Sequence, residues 1–124
     1  FICGFPTETE EMFLNTYELV KRLNITHLHV FPYSAKAGTP ASKMPQVKME
    51  ERRKRAKALR ELGHQKYLNI LQKQIHKTQK VLIETKDGIG KTENNLKIKI
   101  SNAKKGEIID TMPNSILDNY LIAN

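Results

Sequence analysis

The stretch HLHVFPYSAKAGTP, residues 27–40, joins a predicted buried strand to a loop rich in small residues, Gly and Pro. In α/β proteins, the loops that leave the carboxyl ends of strands commonly hold ligands. The stretch therefore predicts an α/β fold in which this loop borders a binding site. Phe31 and Tyr33 alternate with Pro32, so both aromatic rings fall on one face of the strand. Such a face can stack on a base or pack against the next helix.

A strand and a helix are predicted before this stretch. Residues 1–6 resemble the end of a buried strand, closed by Gly4 and Pro6. Residues 7–10, Thr-Glu-Thr-Glu, match a capping box, and apolar residues at helical spacing predict a helix from about residue 8 to 23. The turn before this helix leaves backbone amides at the helix N-terminus, where an anion can bind. The alternative is an ordinary, well-capped turn that binds no ligand.

A long basic helix is predicted after the loop, from about residue 47 to 75, with Gly63 as a bend or break. From Lys48 to Lys80 there are eleven Lys or Arg against three Glu, a difference that equals the formal net charge of +8. Four consecutive cations stand out: Arg52, Arg53, Lys54 and Arg55. They predict a stripe that faces RNA, and the alternative is a solvated face.

The remainder of the chain has the pattern of short strands. Residues 79–84, 96–100 and 106–112 are apolar or alternating, residues 115–124 could add another strand, and residues 85–95 carry turn signals. This predicts a small antiparallel β-barrel, with domains at residues 1–76 and 77–124. Lys97 and Lys99 alternate with apolar residues and, with Lys91, predict an outward RNA-binding face.

Charge and cysteine content narrow the classes of function. The chain has 124 residues and a sequence pI near 9.6, which favours a polyanionic partner and gives no reason to expect a membrane span. The single cysteine, Cys3, excludes an internal disulfide or a site of several thiolates, and it suits a buried position in a cytoplasmic protein. The four histidines lack a supporting carboxylate cluster, so we predict structural roles and no metal site.

Four ordered motifs resemble one family over essentially the whole chain. GFPTETEEMFLNTYELVK, LHVFPYSAKAGTPASKMPQV, ERRKRAKALRELG and GKTENNLKIKI are similar to the C-terminal part of the radical S-adenosylmethionine methylthiotransferases. The LHVFPYS version resembles the branch that acts on N6-threonylcarbamoyladenosine in tRNA. Thr7 and Lys36 depart from the family pattern, which has Gly and Arg there. Lys keeps the charge but loses the planar fork of Arg.

The resemblance implies a fold and a reaction. The fold is the C-terminal βαβ-helix part of a TIM-like barrel, followed by a TRAM-like β module. The parent enzyme would insert a methylthio group at C2 of the modified adenosine, using S-adenosylmethionine and iron–sulfur clusters. The cluster-binding cysteines are absent, and the chain starts within a strand without Met, so we expect an inactive piece whose N-terminal portion is missing. The alternative is a non-catalytic RNA-binding protein from a split or decayed gene.

The resemblance also implies roles for particular residues, none of them catalytic. The expected contacts to S-adenosylmethionine are Gly4, Glu8, Phe31 and Tyr33. The expected contacts to tRNA are Lys36, Arg52, Arg53, Lys54, Arg55, Lys91, Lys97 and Lys99.

Overall fold

The computed structural model describes all residues from Phe1 to Asn124, which form two compact units, Phe1–Tyr67 and Leu68–Asn124. The first unit contains β1 (Ile2–Cys3), α1 (Glu10–Arg22), β2 (Phe31–Pro32), a 3-10 helix (Pro40–Lys43) and most of α2 (Met49–Gln74). The second contains the end of α2 and six strands, β3 (Gln79–Ile83), β4 (Ile89–Thr92), β5 (Lys97–Ile100), β6 (Ile108–Thr111), β7 (Ser115–Leu117) and β8 (Tyr120–Ala123). Neither helix combines the length and apolar character needed to cross a membrane.

The predicted strand–helix–strand unit is confirmed. β1 and β2 pair in parallel, with Ile2 opposite Phe31 and Cys3 opposite Pro32. Both strands are shorter than predicted, since only two residues of each form the ladder. The core of the unit lies between the two strands and the two helices. Its buried side chains are Cys3, Phe13, Val20, Val30, Ala56 and Leu59.

The start of α1 differs from the predicted capping box. Thr9, rather than Thr7, is the N-cap, and its side chain accepts a hydrogen bond from the Met12 N–H at 3.2 Å. The helix starts later because the Glu8 N–H donates to the Phe5 carbonyl at 2.8 Å, which closes a turn first. Glu10 and Glu11 then lie in the first helical turn, where carboxylates complement the helix dipole.

The long helix α2 is confirmed, but the prediction of a break at Gly63 is wrong. Gly63 lies within the helix, and a Cβ atom built on it would be 2.9 Å from the Leu28 Cβ. Such a distance is too short for two carbon atoms, so the glycine lets the segment before β2 approach the helix. This close packing accompanies a glycine that costs about 1 kcal/mol inside a helix relative to alanine.

The sheet of the second unit has the order β6-β3-β4-β5-β8-β7. Two predictions about it were wrong. β4 lies inside the segment predicted as turns, because the positive φ angles of Gly88 and Asn95 mark two separate turns with a strand between them. The sheet is also mixed, since β8 pairs in parallel with β5 after the chain has crossed to the far edge to form β6.

The sheet must curl strongly. Its two edge strands, β6 and β7, are joined only by residues 112–114, a connection that spans at most about 14 Å between Thr111 and Ser115. Five strand intervals in a flat sheet would separate these edges by about 24 Å. The short connection therefore bends the sheet toward the predicted barrel shape. Its inner face carries the buried side chains, among them Val81, Ile83, Leu96, Ile98, Ile100 and Leu121.

Candidate functional site

The carboxyl ends of β1 and β2 form the predicted site region in the first unit. Gly4, directly after β1, has a φ of +83°, and a Cβ atom there would lie 2.4 Å from the Arg52 Cγ. Its N–H donates to the Glu8 Oε1 at 2.9 Å. The expected free amide at this turn is therefore already hydrogen bonded within the chain, and Arg52 covers the glycine.

Glu8 and Arg55 form a largely buried ion pair across the same turn. The Arg55 Nη1 lies 2.9 Å from the Glu8 Oε1 and also donates to the Glu8 carbonyl at 3.0 Å. The Arg55 side chain is 8% exposed, and the Glu8 side chain is 15% exposed. Glu10 approaches Arg55 more distantly, at 3.5 Å. One guanidinium thus binds both the backbone and the carboxylate of the turn that precedes α1, which is a strong, charge-assisted arrangement.

Arg52 connects α2 to the end of β2. Its Nη1 donates to the Tyr33 carbonyl at 3.1 Å, and its Nε donates to the Val47 carbonyl at 2.7 Å. The guanidinium also lies 5.7 Å from the centroid of the Tyr33 ring, which packs edge-on against Phe5 at 5.3 Å. Tyr33 is therefore partly buried between a cation and an aromatic ring, and its main-chain N–H donates to Cys3.

A third arginine of α2 was missed by the sequence reasoning. Arg60 donates twice to the Val30 carbonyl, from Nε at 2.9 Å and from Nη2 at 2.7 Å. Val30 directly precedes β2, so Arg60 satisfies a carbonyl that no strand ladder uses. Together with Arg52 and Arg55, it makes α2 a source of cationic donors for the backbone around both strands.

The predicted stripe of four cations therefore consists of two buried and two exposed side chains. Arg52 and Arg55 are each 7% exposed, so the expectation that they face outward is wrong. Their positions, seven and four residues before the buried Leu59, place them on the face of α2 that packs on the core. Arg53 and Lys54 lie on other faces of the helix and are exposed. An RNA contact by these two residues stays a prediction.

Two other predicted residues of this unit are accessible. Phe31 is 60% exposed, and Lys36 is exposed in the loop after β2. The Lys36 carbonyl accepts hydrogen bonds from the N–H and the hydroxyl of Thr39, which shapes that loop. Phe31, Lys36 and the partly exposed Tyr33 thus retain surface for a ligand, as do Arg53 and Lys54 on α2.

The chain does not present the ligands for an iron–sulfur cluster. No three His, Cys, Asp or Glu residues gather anywhere among the 124 residues in an arrangement that could hold a metal ion. Cys3 is 1% exposed, and burial raises the pKa of its thiol, with a further contribution from the Glu8 carboxylate. A buried, protonated thiol is a packing residue rather than a cluster ligand.

The first unit also contains an open groove. It has a volume of about 580 Å³ and is lined in part by Tyr17, Arg60 and Glu61. None of the residues predicted to bind a cofactor or RNA lines it.

The second unit presents three of the predicted lysines on the outer face of the sheet. Lys91 on β4 lies opposite Lys97 on β5 and opposite Leu82 on β3. Lys99 lies between Ile89 and Ile122 on the two neighbouring strands. All three lysines are exposed, as the alternating sequence predicted. We call Lys91, Lys97 and Lys99 the lysine face.

Aromatic and aliphatic side chains accompany the lysine face. The Lys97 ammonium lies 5.6 Å from the centroid of the Tyr120 ring. Leu82, Ile108 and Leu117 on the same outer surface are between 47% and 68% exposed. Cations interleaved with apolar side chains on a sheet are a typical surface for nucleic acid, because phosphates and bases need different partners.

Comparison with known proteins points to one class of enzyme. No protein-family model matches the chain. It is 44% identical over 99 residues, 80% of its length, to the threonylcarbamoyladenosine tRNA methylthiotransferase of Rickettsia prowazekii. It is 38% identical over 99 residues, 79% of its length, to the enzyme of the same name from Aquifex aeolicus. It is 32% identical over 135 aligned residues, 98% of its length, to the tRNA-2-methylthio-N(6)-dimethylallyladenosine synthase of Shewanella sp. W3-18-1.

These relatives are all enzymes that modify adenosines of tRNA by methylthiolation, as their names state. Over most of its length the chain is homologous to part of the tRNA methylthiotransferases, and the first two relatives support the branch named for threonylcarbamoyladenosine. It spans 23%, 24% and 28% of the lengths of these three relatives.

The different burial of Arg55 and Arg53 generates a first prediction about stability. Replacing Arg55 by Met keeps helix propensity and most of the volume, but it leaves Glu8 without its buried partner. We expect a loss of about 2–4 kcal/mol in the free energy of unfolding, because removing one member of a buried ion pair leaves an uncompensated charge. Arg53→Met is the matched control, and we expect it to change stability by less than about 0.5 kcal/mol. Equilibrium denaturation followed by circular dichroism measures both, and equal losses would contradict the assignment.

Proposed function

We propose that the chain is the part of a tRNA methylthiotransferase that forms the end of the catalytic barrel and the tRNA-binding module. Its parent would insert a methylthio group at C2 of N6-threonylcarbamoyladenosine. The observation that carries the proposal is the 44% identity to the Rickettsia prowazekii enzyme over 80% of the chain. A purely RNA-binding protein is the weaker candidate, because the relatives named above are enzymes.

The first unit, in this proposal, is the last βα part of the catalytic barrel. The parallel pairing of β1 and β2 and the helix between them support this role. Phe31 and Tyr33 then border the cavity in which S-adenosylmethionine and the adenosine meet. Glu8 and Gly4 act on that cavity by fixing the turn, since their hydrogen-bonding groups are paired with each other and with Arg55.

The iron–sulfur clusters of the parent are held by residues outside this chain. When bound, such a cluster supplies the electron that starts radical chemistry from S-adenosylmethionine. The single cysteine of the chain is buried, which supports a role in positioning and binding rather than in cluster ligation.

The second unit, in this proposal, is a TRAM-like module that holds the tRNA. Its strongly curled sheet and its exposed lysine face support this role. Three ammonium groups on neighbouring strands suit a phosphate backbone, and every phosphate contact of this kind makes binding salt-dependent. Arg53 and Lys54 on α2 add a second candidate contact.

Activity can be tested by grafting. The chain replaces the matching segment of the Rickettsia prowazekii enzyme in a bacterium that lacks the methylthio modification, and nucleosides from its tRNA are analysed by mass spectrometry. We expect 2-methylthio-N6-threonylcarbamoyladenosine. The unmodified Rickettsia prowazekii enzyme is the positive control, and an empty vector is the negative one.

Two outcomes of the graft would contradict the proposal at different levels. A methylthio group on dimethylallyladenosine alone would reject the substrate branch. A soluble chimera that holds its clusters and modifies no tRNA would reject the assignment of this segment.

The RNA-binding surface can be tested by salt titration of tRNA binding to the chain. Replacing Lys97 and Lys99 by Gln should reduce the slope of log affinity against log salt by roughly one to two units, because each phosphate contact contributes nearly one unit. Lys104→Gln with Lys105→Gln is the matched control, since both residues are exposed in the loop before β6. Arg53→Gln with Lys54→Gln tests the helix separately. Wild-type slopes in all variants would show that the basic charge serves only solubility.

A further inference from the structure

A small groove lies beside the lysine face, at the hairpin that joins β7 to β8. It has a volume of about 160 Å³, and its lining residues are Ile89, Lys99, Leu117, Asp118, Tyr120 and Ile122. Pockets for drug-sized ligands occupy about 300–1,000 Å³, so this groove suits one planar ring system rather than a complete nucleotide cofactor.

The chemistry of the groove is that of a base-binding site. Ile89, Ile122 and Leu117 give it apolar walls, and Tyr120 adds an aromatic ring. Unpaired bases stack on such rings whatever their sequence. The Lys97 ammonium beside the Tyr120 ring and the Lys99 side chain in the groove provide cations for the phosphates attached to a bound base.

Asp118 is the unexpected member of this group. A carboxylate on a basic RNA-binding face repels phosphates, so its favourable partners in RNA are hydrogen-bond donors, which include the amino groups of base edges. Carboxylates accept hydrogen bonds from exocyclic amino groups, as they do from cytosine N4. Asp118 and Asn119 have φ angles of 50° and 66°, which is the geometry of a tight two-residue hairpin turn. The turn fixes the carboxylate at the rim of the groove.

We propose that this groove binds one unpaired, amino-bearing base of the tRNA, with Tyr120 contacting the ring and Asp118 accepting a hydrogen bond from the amino group. This inference rests on the proposed function, since it requires that the lysine face contacts RNA. It adds a base-specific contact to a surface that would otherwise recognise only phosphate.

The test uses the whole chain and three fluorescent probes, the ribonucleotide hexamers of A, C and U, with fluorescence anisotropy as the readout. The wild type should bind the A and C hexamers at least about fivefold more tightly than the U hexamer. Tyr120→Leu should weaken binding of all three hexamers by about five- to 150-fold, because the stacking contact is lost from every base.

Asp118→Asn is the sharper variant, because Asn tolerates the positive φ and keeps the hairpin. The amide can donate to a uracil carbonyl, so the preference for A and C over U should fall to about twofold or less. Asn119→Asp is the matched control, because it places a carboxylate at the neighbouring position of the same turn. That control should keep the wild-type preference. Circular dichroism verifies the fold of each variant.

The outcomes separate this inference from the proposed function. In one outcome, the salt dependence of tRNA binding depends on Lys97 and Lys99, but Tyr120→Leu and Asp118→Asn bind all hexamers as the wild type does. The base site is then rejected, and the phosphate contacts stand. If neither tRNA nor any hexamer binds, the proposed RNA-binding role itself is rejected. If Tyr120→Leu changes only thermal stability, the ring is a packing residue and the base site is rejected.

Discussion

The ion pair between Arg55 and Glu8 is the interaction on which the first unit depends. β1 and β2 share only two residue pairs, so the ladder alone contributes little to holding the strands in place. Arg55 ties the turn after β1 to α2 through the Glu8 carbonyl and carboxylate. Arg52 and Arg60 hold the end and the start of β2 in the same way, through Tyr33 and Val30. The helix thus replaces, with side-chain donors, hydrogen bonds that longer strands would supply.

The burial of these arginines changes the functional role expected of the basic helix α2. Its buried arginines hold Tyr33 and the turn that contains Gly4, so the role proposed for them is positioning rather than contact with a ligand. The exposed cations that remain for the proposed RNA contact are Arg53 and Lys54 on the helix and the lysine face on the sheet. In that sheet the lysines extend outward from strands whose alternate residues face the core, so the proposed phosphate contacts and folding use opposite faces.

The sequence predicted the helices and most strands well, because their apolar periodicities are strong. The outward direction of Lys97 and Lys99 followed from simple alternation. The capping box failed because the Glu8 N–H closes a turn with the Phe5 carbonyl, so the helix is capped by Thr9. Arg55, far along the chain, holds that turn through Glu8. β4 was missed because Gly90 interrupts the apolar pattern expected of a strand. A Cβ atom at this position would lie 2.2 Å from the Leu82 carbonyl oxygen, so the need for glycine depends on a contact that the sequence does not reveal.

The division of the four-cation run could have been found from the sequence. Arg52 and Arg55 lie seven and four residues before Leu59, in register with the core face of α2, whereas Arg53 and Lys54 do not. The high charge density of the run obscured this helical register. Tyr120 and Asp118 carried no comparable signal, because their proximity to the lysine face depends on the parallel pairing of β8 with β5.

A double-mutant cycle on Glu8 and Arg55 tests the central claim most directly. The free energy of unfolding is measured for the wild type, Glu8→Gln, Arg55→Met and the double variant, with the helical circular dichroism signal as the readout. If the pair holds the turn to the helix, the two losses are not additive, and the coupling energy is about 1–3 kcal/mol. Additive losses, within about 0.5 kcal/mol, would show that the two residues stabilise the unit independently and would contradict the account.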